Sequence, residues 1–216
     1  MTEDTTASRA GGTVHLGSLP FSRIGFGAMQ LERLQDDRAA AISLLRRVAE
    51  LGVNHVDTAQ FYGDGFANAV IRDALRDEAG ITVVSKAGAD PNPGGRIRLR
   101  LAQRPAELRA TVEDNLKSLG LDRIPVVNLR RADIGPGLLA EGDQVVDLDD
   151  QLAMMTALRD EGKIGAIGLS AVSLDTLRRA LPVGILCVQN AYSLVARDDE
   201  ELLRLCVAEE IGRAHV

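Results

Sequence analysis

Val53-Asn54-His55-Val56-Asp57-Thr58-Ala59-Gln60-Phe61-Tyr62 and, after one helical stretch, Ile81-Thr82-Val83-Val84-Ser85-Lys86 decide the fold. Each opens as an apolar, β-branched run and reaches a polar residue where strand gives way to loop. A carboxylate, a phenol and an amine delivered by successive strand ends can converge on one small volume. That set suits proton donation to a carbonyl. Tyrosine is a poor acid near neutral pH, with a reference pKa of roughly 10. An ammonium beside it favours the phenolate, and a buried aspartate keeps that ammonium charged. General-acid work by Tyr62 needs an arrangement of this kind.

Outward from these runs the pattern alternates. Thr13 to Leu16 and Phe21 to Ser22 flank Gly17-Ser18, which predicts a small hairpin. Ile24 to Met29 reads as a first buried strand, Val53 to Thr58 as a second and Ile81 to Ser85 as a third. Pro125 to Leu129, Ile164 to Leu169 and Gly184 to Gln189 follow as further strands. Between and after them, helical spacing covers Arg38 to Leu51, Asn68 to Leu75, Pro105 to Leu119, Asp149 to Arg159, Ser173 to Leu181 and Asp198 to Glu210. Gly88 to Gln103, rich in Pro, Gly and Arg, and Ile134 to Asp147 read as loops.

Such alternation argues for a parallel sheet covered on both faces. An open doubly wound sheet and a (β/α)8 barrel both fit the pattern. The polar residues separate them. Asp57, Lys86, Arg130, Ser170 and Gln189 fall at the C-terminal ends of different strands, which is the habit of a barrel. Gly25-Phe26-Gly27 lacks the third glycine and helix start of a dinucleotide fingerprint. The expectation is an α/β TIM barrel with an N-terminal hairpin.

With 216 residues, 45% of them hydrophobic, the chain can bury a real core as one domain. A net charge of −6 gives no electrostatic reason to expect nucleic acid or an anionic membrane as partner. No apolar run approaches the roughly 20 residues of a membrane span. Residues 1–12 read as a flexible polar tail without the apolar segment of a signal peptide. Cys187 and Cys206 sit in apolar runs and read as buried thiols, which fits a reducing cytoplasm. No Cys/His cluster has metal spacing.

Gly25-Phe26-Gly27-Ala28-Met29-Gln30, Asp57-Thr58-Ala59 followed by Tyr62, Ser85-Lys86, Gly168-Leu169-Ser170 and Val188-Gln189-Asn190 together resemble the aldo-keto reductase family, in order and over nearly the whole chain. The resemblance implies a (β/α)8 barrel that uses NADP(H), without a metal, to reduce aldehydes and ketones. It implies Tyr62 as general acid, Lys86 as the group that tunes it and Asp57 as the partner of that lysine. Gly27, Ala28 and Met29 would lie beside cofactor and substrate. Ser170 and Gln189 would hold the nicotinamide carboxamide, for which hydroxyl and amide groups are suited.

Three features depart from the family pattern. Arg130, in Asn128-Leu129-Arg130-Arg131, stands where the family has a histidine, and His15, His55 and His215 do not fit that role. A guanidinium still donates to a carbonyl oxygen and keeps its charge. Ala171 replaces the family's asparagine, with the loss of one hydrogen bond of about 1 kcal/mol. Finally, about six of the family's eight strands are expected, in a domain over residues 13–210. The hexapeptide 211–216 is what a common sequencing adapter encodes in one frame, and is expected to be a non-native tail on a truncated chain, with weak or absent NADPH affinity.

Each residue also has a plainer reading. Asp57 alone could be a helix-capping or loop aspartate, Lys86 could be a solvated strand end, Arg130 could pair with Asp133 or a helix carboxylate, and Ser170 and Gln189 could be rim hydrogen bonders. His55, two residues before Asp57, shares its side of the strand and reads as a packed lower-layer residue. The rival function is a nucleotide-binding regulatory or scaffold protein on the same barrel, with little catalysis. Substrate and oligomeric state are not legible.

Overall fold

The computed structural model describes residues 11–134 and 138–215, with the backbone alone for 213–215. Most of the expected N-terminal tail, and part of the loop expected at 134–147, therefore lie outside the described residues. β1 (Thr13–Leu16) and β2 (Leu19–Ser22) pair antiparallel, as the Gly17-Ser18 turn predicts. There follow β3 (Phe26–Gly27), α1 (Arg38–Glu50), β4 (His55–Asp57), α2 (Phe66–Leu75) and β5 (Thr82–Ala87). Next come β6 (Ala89–Pro91), β7 (Leu99–Leu101), α3 (Pro105–Leu119), β8 (Ile124–Arg130) and α4 (Leu148–Asp160). The chain goes on through β9 (Ile164–Ser170), α5 (Leu174–Ala180), β10 (Ile185–Asn190), α6 (Glu200–Ala208) and β11 (Gly212–His215).

A 7-stranded sheet has the order β3-β4-β5-β8-β9-β10-β11, and all its pairs are parallel. The order never reverses. A doubly wound sheet would reverse at its switch point, so the competing architecture is excluded. The sheet is also curled. The Gln189 amide on β10 donates to Asp57 on β4 at 3.0 Å. Four strand spacings separate them along the sheet, roughly 19 Å if it were flat. The sheet is the curved wall of a (β/α)8 barrel.

Side chains alternate across that wall with period 2. Val56, Val127, Leu129, Ile167, Leu169 and Val188 belong to the larger apolar core, which also includes the helices. Val84, Val126 and Cys187 face the interior, where the hairpin residue Phe21 caps them from below. His55 packs edge-on to Phe21, with ring centroids 4.9 Å apart. It is therefore the lower-layer residue the sequence predicts, and burial holds its pKa below the ordinary value despite nearby Asp57.

Three segments differ from the sequence reading. The first strand is only Phe26–Gly27, with a short 3-10 helix from Ala28, and Ile24 and Met29 are exposed. Glycines on both sides of Phe26 leave little side chain to anchor a longer strand. The expected loop 88–103 contains the antiparallel pair β6–β7. Thr111 of α3 anchors it by donating to Asp90 at 2.6 Å. Within the segment expected as a foreign tail, residues 212–215 form β11 in parallel register with β10, Gly212 opposite Cys187.

α3 shows how its start was legible. Pro105 opens it, and Glu107 reaches back to accept from the Arg104 backbone N–H at 3.1 Å. The Arg104 guanidinium, at 2.7 Å, and Gln144 also donate to Glu107, and together they hold its carboxyl down at about 2. A carboxyl depressed in the folded state stabilises above its unfolded pKa, and that stabilisation fades as pH falls through the folded value. Glu107→Gln is therefore expected to lower unfolding free energy by about 1 kcal/mol at neutral pH. Urea titrations at several pH values should show the gap from the parent closing between about 4 and about 2.

Candidate active site

Asp57 ends β4 and Lys86 lies near the end of β5, side by side in the parallel sheet. Both side chains point into the barrel. The Lys86 ammonium donates to Asp57 Oδ1 at 2.5 Å and to the Thr58 carbonyl at 3.2 Å. The pair is buried, with side-chain exposures of 5% for Lys86 and 15% for Asp57. Burial alone pulls an ammonium's pKa down. The Asp57 carboxylate, helped by Tyr62, outweighs burial and holds Lys86 above the usual lysine range. Lys86 Nζ also lies 5.1 Å from the centre of the Tyr62 ring, within reach of a cation–π contact.

The second Asp57 oxygen accepts from Gln189 Nε2 at 3.0 Å. Asn128 of β8 donates to Gln189 Oε1 at 3.4 Å, and the Cys187 thiol to Asn128 Oδ1 at 3.4 Å. A polar bridge thus crosses the interior from β5 to β4, β10 and β8. Gly168 makes room for it, because a Cβ there would lie 2.0 Å from Asn128 Oδ1 and 2.8 Å from the Cys187 sulfur. Below the bridge is a cavity of about 820 Å³ lined by His55, Val84, Val126 and Cys187 among others. Burial pushes the Cys187 thiol up to about 12, so it stays protonated.

Arg130 shares the inward face of β8 with Asn128, two residues away, and stands opposite Ser170 at the rim. Its Nε is buried without a hydrogen-bond partner among the described residues. The alternative partner, Asp133, is taken by the next arginine. Arg131 Nε donates to both Asp133 oxygens at 3.0 and 2.9 Å. Ser170 is buried beside Gln189 in the register of β9 and β10. Gly27 pairs with Asp57 and is open, since a Cβ there would meet nothing within 4 Å. Met29 is exposed and Ala28 buried.

Lys86 thus meets Asp57 and the Tyr62 ring, and Asp57 meets Gln189, which links the four in one cluster. Arg130 and Ser170 sit on the adjoining rim, Gly27 abuts Asp57, and Ala28 and Met29 lie at the start of the following helix. Asn128 is the interior residue that the sequence reading missed. Its inward parity with Arg130 was the available signal. Ala171 has φ +53°, the left-handed region that asparagine tolerates better than alanine. The backbone bend is kept although the side chain is not.

The fold is a parallel α/β barrel wall with a buried charged cluster at the C-terminal ends of its strands. The aldo/keto reductase family profile matches residues 23–214. The chain belongs to the aldo/keto reductase family. It is 37% identical over 198 residues to pyridoxine 4-dehydrogenase of Escherichia coli, a match covering 88% of this chain and 67% of that protein. Among solved structures it resembles the holo form of an aldo-keto reductase from Bacillus halodurans, with a TM-score of 0.79 and 25% identity over 94% of this chain and 65% of that one. It also shares the fold of an aldo-keto reductase from Klebsiella pneumoniae in complex with NADPH, with a TM-score of 0.73 and 23% identity over 91% of this chain and 63% of that one. The chain thus spans about two thirds of the length of these relatives.

Removing one partner of a buried ion pair leaves the other charge uncompensated. Asp57→Asn is expected to cost about 3–5 kcal/mol of unfolding free energy. Adding Lys86→Met should recover part of the loss in a urea titration. A raised lysine pKa sets the sign on the alkaline side: the contribution of the Lys86 charge is fully present below roughly 10.4 and is lost as pH rises above it. Ala171→Asn should gain about 1 kcal/mol in the same assay by relieving the left-handed strain.

Proposed function

We propose that the protein carrying this chain reduces aldehydes or ketones to alcohols by NADP(H)-dependent hydride transfer, with Tyr62 as general acid. One observation carries the reading. The Lys86 ammonium lies between the Asp57 carboxylate, at 2.5 Å, and the Tyr62 ring, at 5.1 Å, at the C-terminal end of a parallel barrel wall. Family membership supports oxidoreductase chemistry on a small carbonyl substrate. The Klebsiella pneumoniae relative solved with NADPH supports a nicotinamide cofactor.

A nicotinamide cofactor, when bound, supplies the hydride. The polar groups on the rim fit such a group. Ser170 offers a hydroxyl, Gln189 an amide whose Oε1 is held, among the described residues, by the long contact to Asn128, and Gly27 an open backbone beside Asp57. These would hold the carboxamide and the ring's neighbourhood. Tyr62 gives its phenolic proton to the carbonyl oxygen as that oxygen gains charge. The Lys86 ammonium stabilises the phenolate left behind. Asp57 keeps Lys86 protonated and in place. Arg130, with a buried Nε lacking a partner, donates to the carbonyl oxygen in the position where the family uses histidine.

The test is a panel of aldehydes with NADPH, assayed on the longest form of the protein that its gene encodes. Tyr62→Phe is expected to lower kcat by about 10²–10⁴-fold while NADPH binding is kept. Lys86→Met should lower kcat comparably. Tight NADPH binding with no turnover of any aldehyde would instead favour a nucleotide-binding regulatory protein.

A further inference from the structure

Behind the strand ends that carry Asp57 and Lys86 lies a second polar cluster, built from side chains that face the helices. Asn68 on α2 and Asn115 on α3 are its centre, and both are fully buried. Thr58, next to Asp57, donates to Asn68 Oδ1 at 2.8 Å. Asn68 Nδ2 faces Gln60 Oε1 at 2.9 Å, Asn115 Oδ1 at 3.0 Å and Ser118 Oγ at 2.9 Å. Ser85, next to Lys86, donates to Asn115 Oδ1 at 2.6 Å. Asn115 Nδ2 reaches the Lys86 carbonyl at 3.4 Å, and Ser118 donates to Gln60 Oε1 at 2.7 Å.

This cluster touches the two segments that present Tyr62 and Lys86. Thr58 and Gln60 lie in the loop leading to Tyr62, and Ser85 and Lys86 are on β5. That loop is also held by Thr58 N–H to the Val84 carbonyl at 2.8 Å, by Lys86 Nζ to the Thr58 carbonyl at 3.2 Å, by a turn bond from Tyr62 N–H to the Ala59 carbonyl at 3.1 Å and by Ala67 N–H to the Tyr62 carbonyl at 3.3 Å; the cluster adds the bonds that side chains of α2 and α3 make to it. Burying several uncharged polar side chains between two helices costs more than burying leucines unless each is satisfied. What the satisfied cluster supplies and leucines would not is direction. Each bond fixes one atom of the loop against one atom of a helix.

We propose that Asn68 and Asn115 are positioning residues that hold the loop from Thr58 to Gln60 and the end of β5 so that the Tyr62 phenol stays over the Lys86 ammonium. The proposal rests on the reading of Tyr62 and Lys86 as proton donor and tuner. The chain has 2 tyrosines and no tryptophan. With Tyr192→Phe as background, the near-ultraviolet circular dichroism band of tyrosine reports the orientation of Tyr62 alone, without cofactor or turnover. The Lys86 ammonium lies 5.1 Å from the centre of that ring.

In this 216-residue chain, Lys86→Met should weaken the Tyr62 band by about half or more, because the cation lying over the ring is gone. Asn68→Leu should weaken it in the same direction, as the ring loses its fixed orientation. Thr58→Val, which keeps shape and removes only the bond to Asn68, should weaken it too, and Thr58→Ser should leave it at full strength. Leu158→Ala, a core truncation on α4, should lower thermal stability without changing the band. If Lys86→Met changes the band but Asn68→Leu and Thr58→Val do not, the positioning role is wrong while the tyrosine–lysine reading stands. If Lys86→Met itself changes nothing, both fall. Thr58→Val carries the test should Asn68→Leu not fold.

Discussion

The ion pair between Lys86 and Asp57 is the constraint on which the site is built. Two opposite charges inside a sheet are tolerated only when their mutual attraction and additional hydrogen bonds replace lost water. Asp57 meets that demand with Lys86 on one oxygen and Gln189 on the other, and Lys86 adds the Thr58 carbonyl. Each partner recruits a different strand. The pair therefore does more than hold a charge. It ties β4 to β5 along the sheet and to β10 across the interior, and so records the curvature of the wall in one set of contacts. Gly168 is part of the same arrangement, because a methyl group there would occupy the space of Asn128.

The two-residue period of the strands divides labour between the faces. On β5, Lys86 faces the interior and Ser85 faces Asn115 of α3. Beyond β4, the Thr58 hydroxyl turns to Asn68 of α2 while its carbonyl accepts from Lys86. On β8, Arg130 faces inward and Arg131 is saturated by Asp133 and by Gln151 of α4. Chemistry points in and fastening points out. A second amide does for the rim what Asn68 does for the loop. The Gln103 amide donates to the carbonyls of Gly88 and Arg130 at 2.6 and 2.7 Å. Gly88, at φ +112°, lets the two strand ends come this close, since a Cβ there would lie 2.2 Å from the Arg130 oxygen.

The strands, the helices and the cluster of Asp57, Tyr62 and Lys86 were legible because they depend on local signals: β-branched runs, helical spacing, and a polar residue at a strand's end. The fasteners were not. Asn68 and Asn115 read as ordinary helix residues, and Gln103 as the end of a loop rich in Pro, Gly and Arg. What gives them meaning is contact over long sequence separations, such as the 47 residues between Asn68 and Asn115. No periodicity carries that information. The strand pair inside residues 89–101 was hidden for a related reason. Its Asp90 accepts from Thr111 on a helix as well as from Arg100 across the pair, and the helix contact has no local signal. The first strand was over-read because its apolar residues suggested burial that its glycines do not support. Residues 212–215, inside the hexapeptide expected to be foreign because an adapter sequence would encode it, form β11 beside the parallel edge of β10.

Arg130 is where sequence and structure press hardest on each other. The departure from histidine was visible at once, but its consequence depended on whether a carboxylate neutralised the guanidinium. Asp133 was the candidate, and the alternation of the strand decides against it. Arg131 is on the outer face and makes both contacts with Asp133, while Arg130 is on the inner one with a buried Nε that has no partner among the described residues. A histidine in that place could lose its proton and become neutral. A guanidinium cannot. The rim therefore holds a permanent cation at Arg130, on the same wall as a lysine matched by Asp57. An oxygen that gains negative charge during a reaction is the group such a site stabilises most, because the donor is in place beforehand and need not be reorganised.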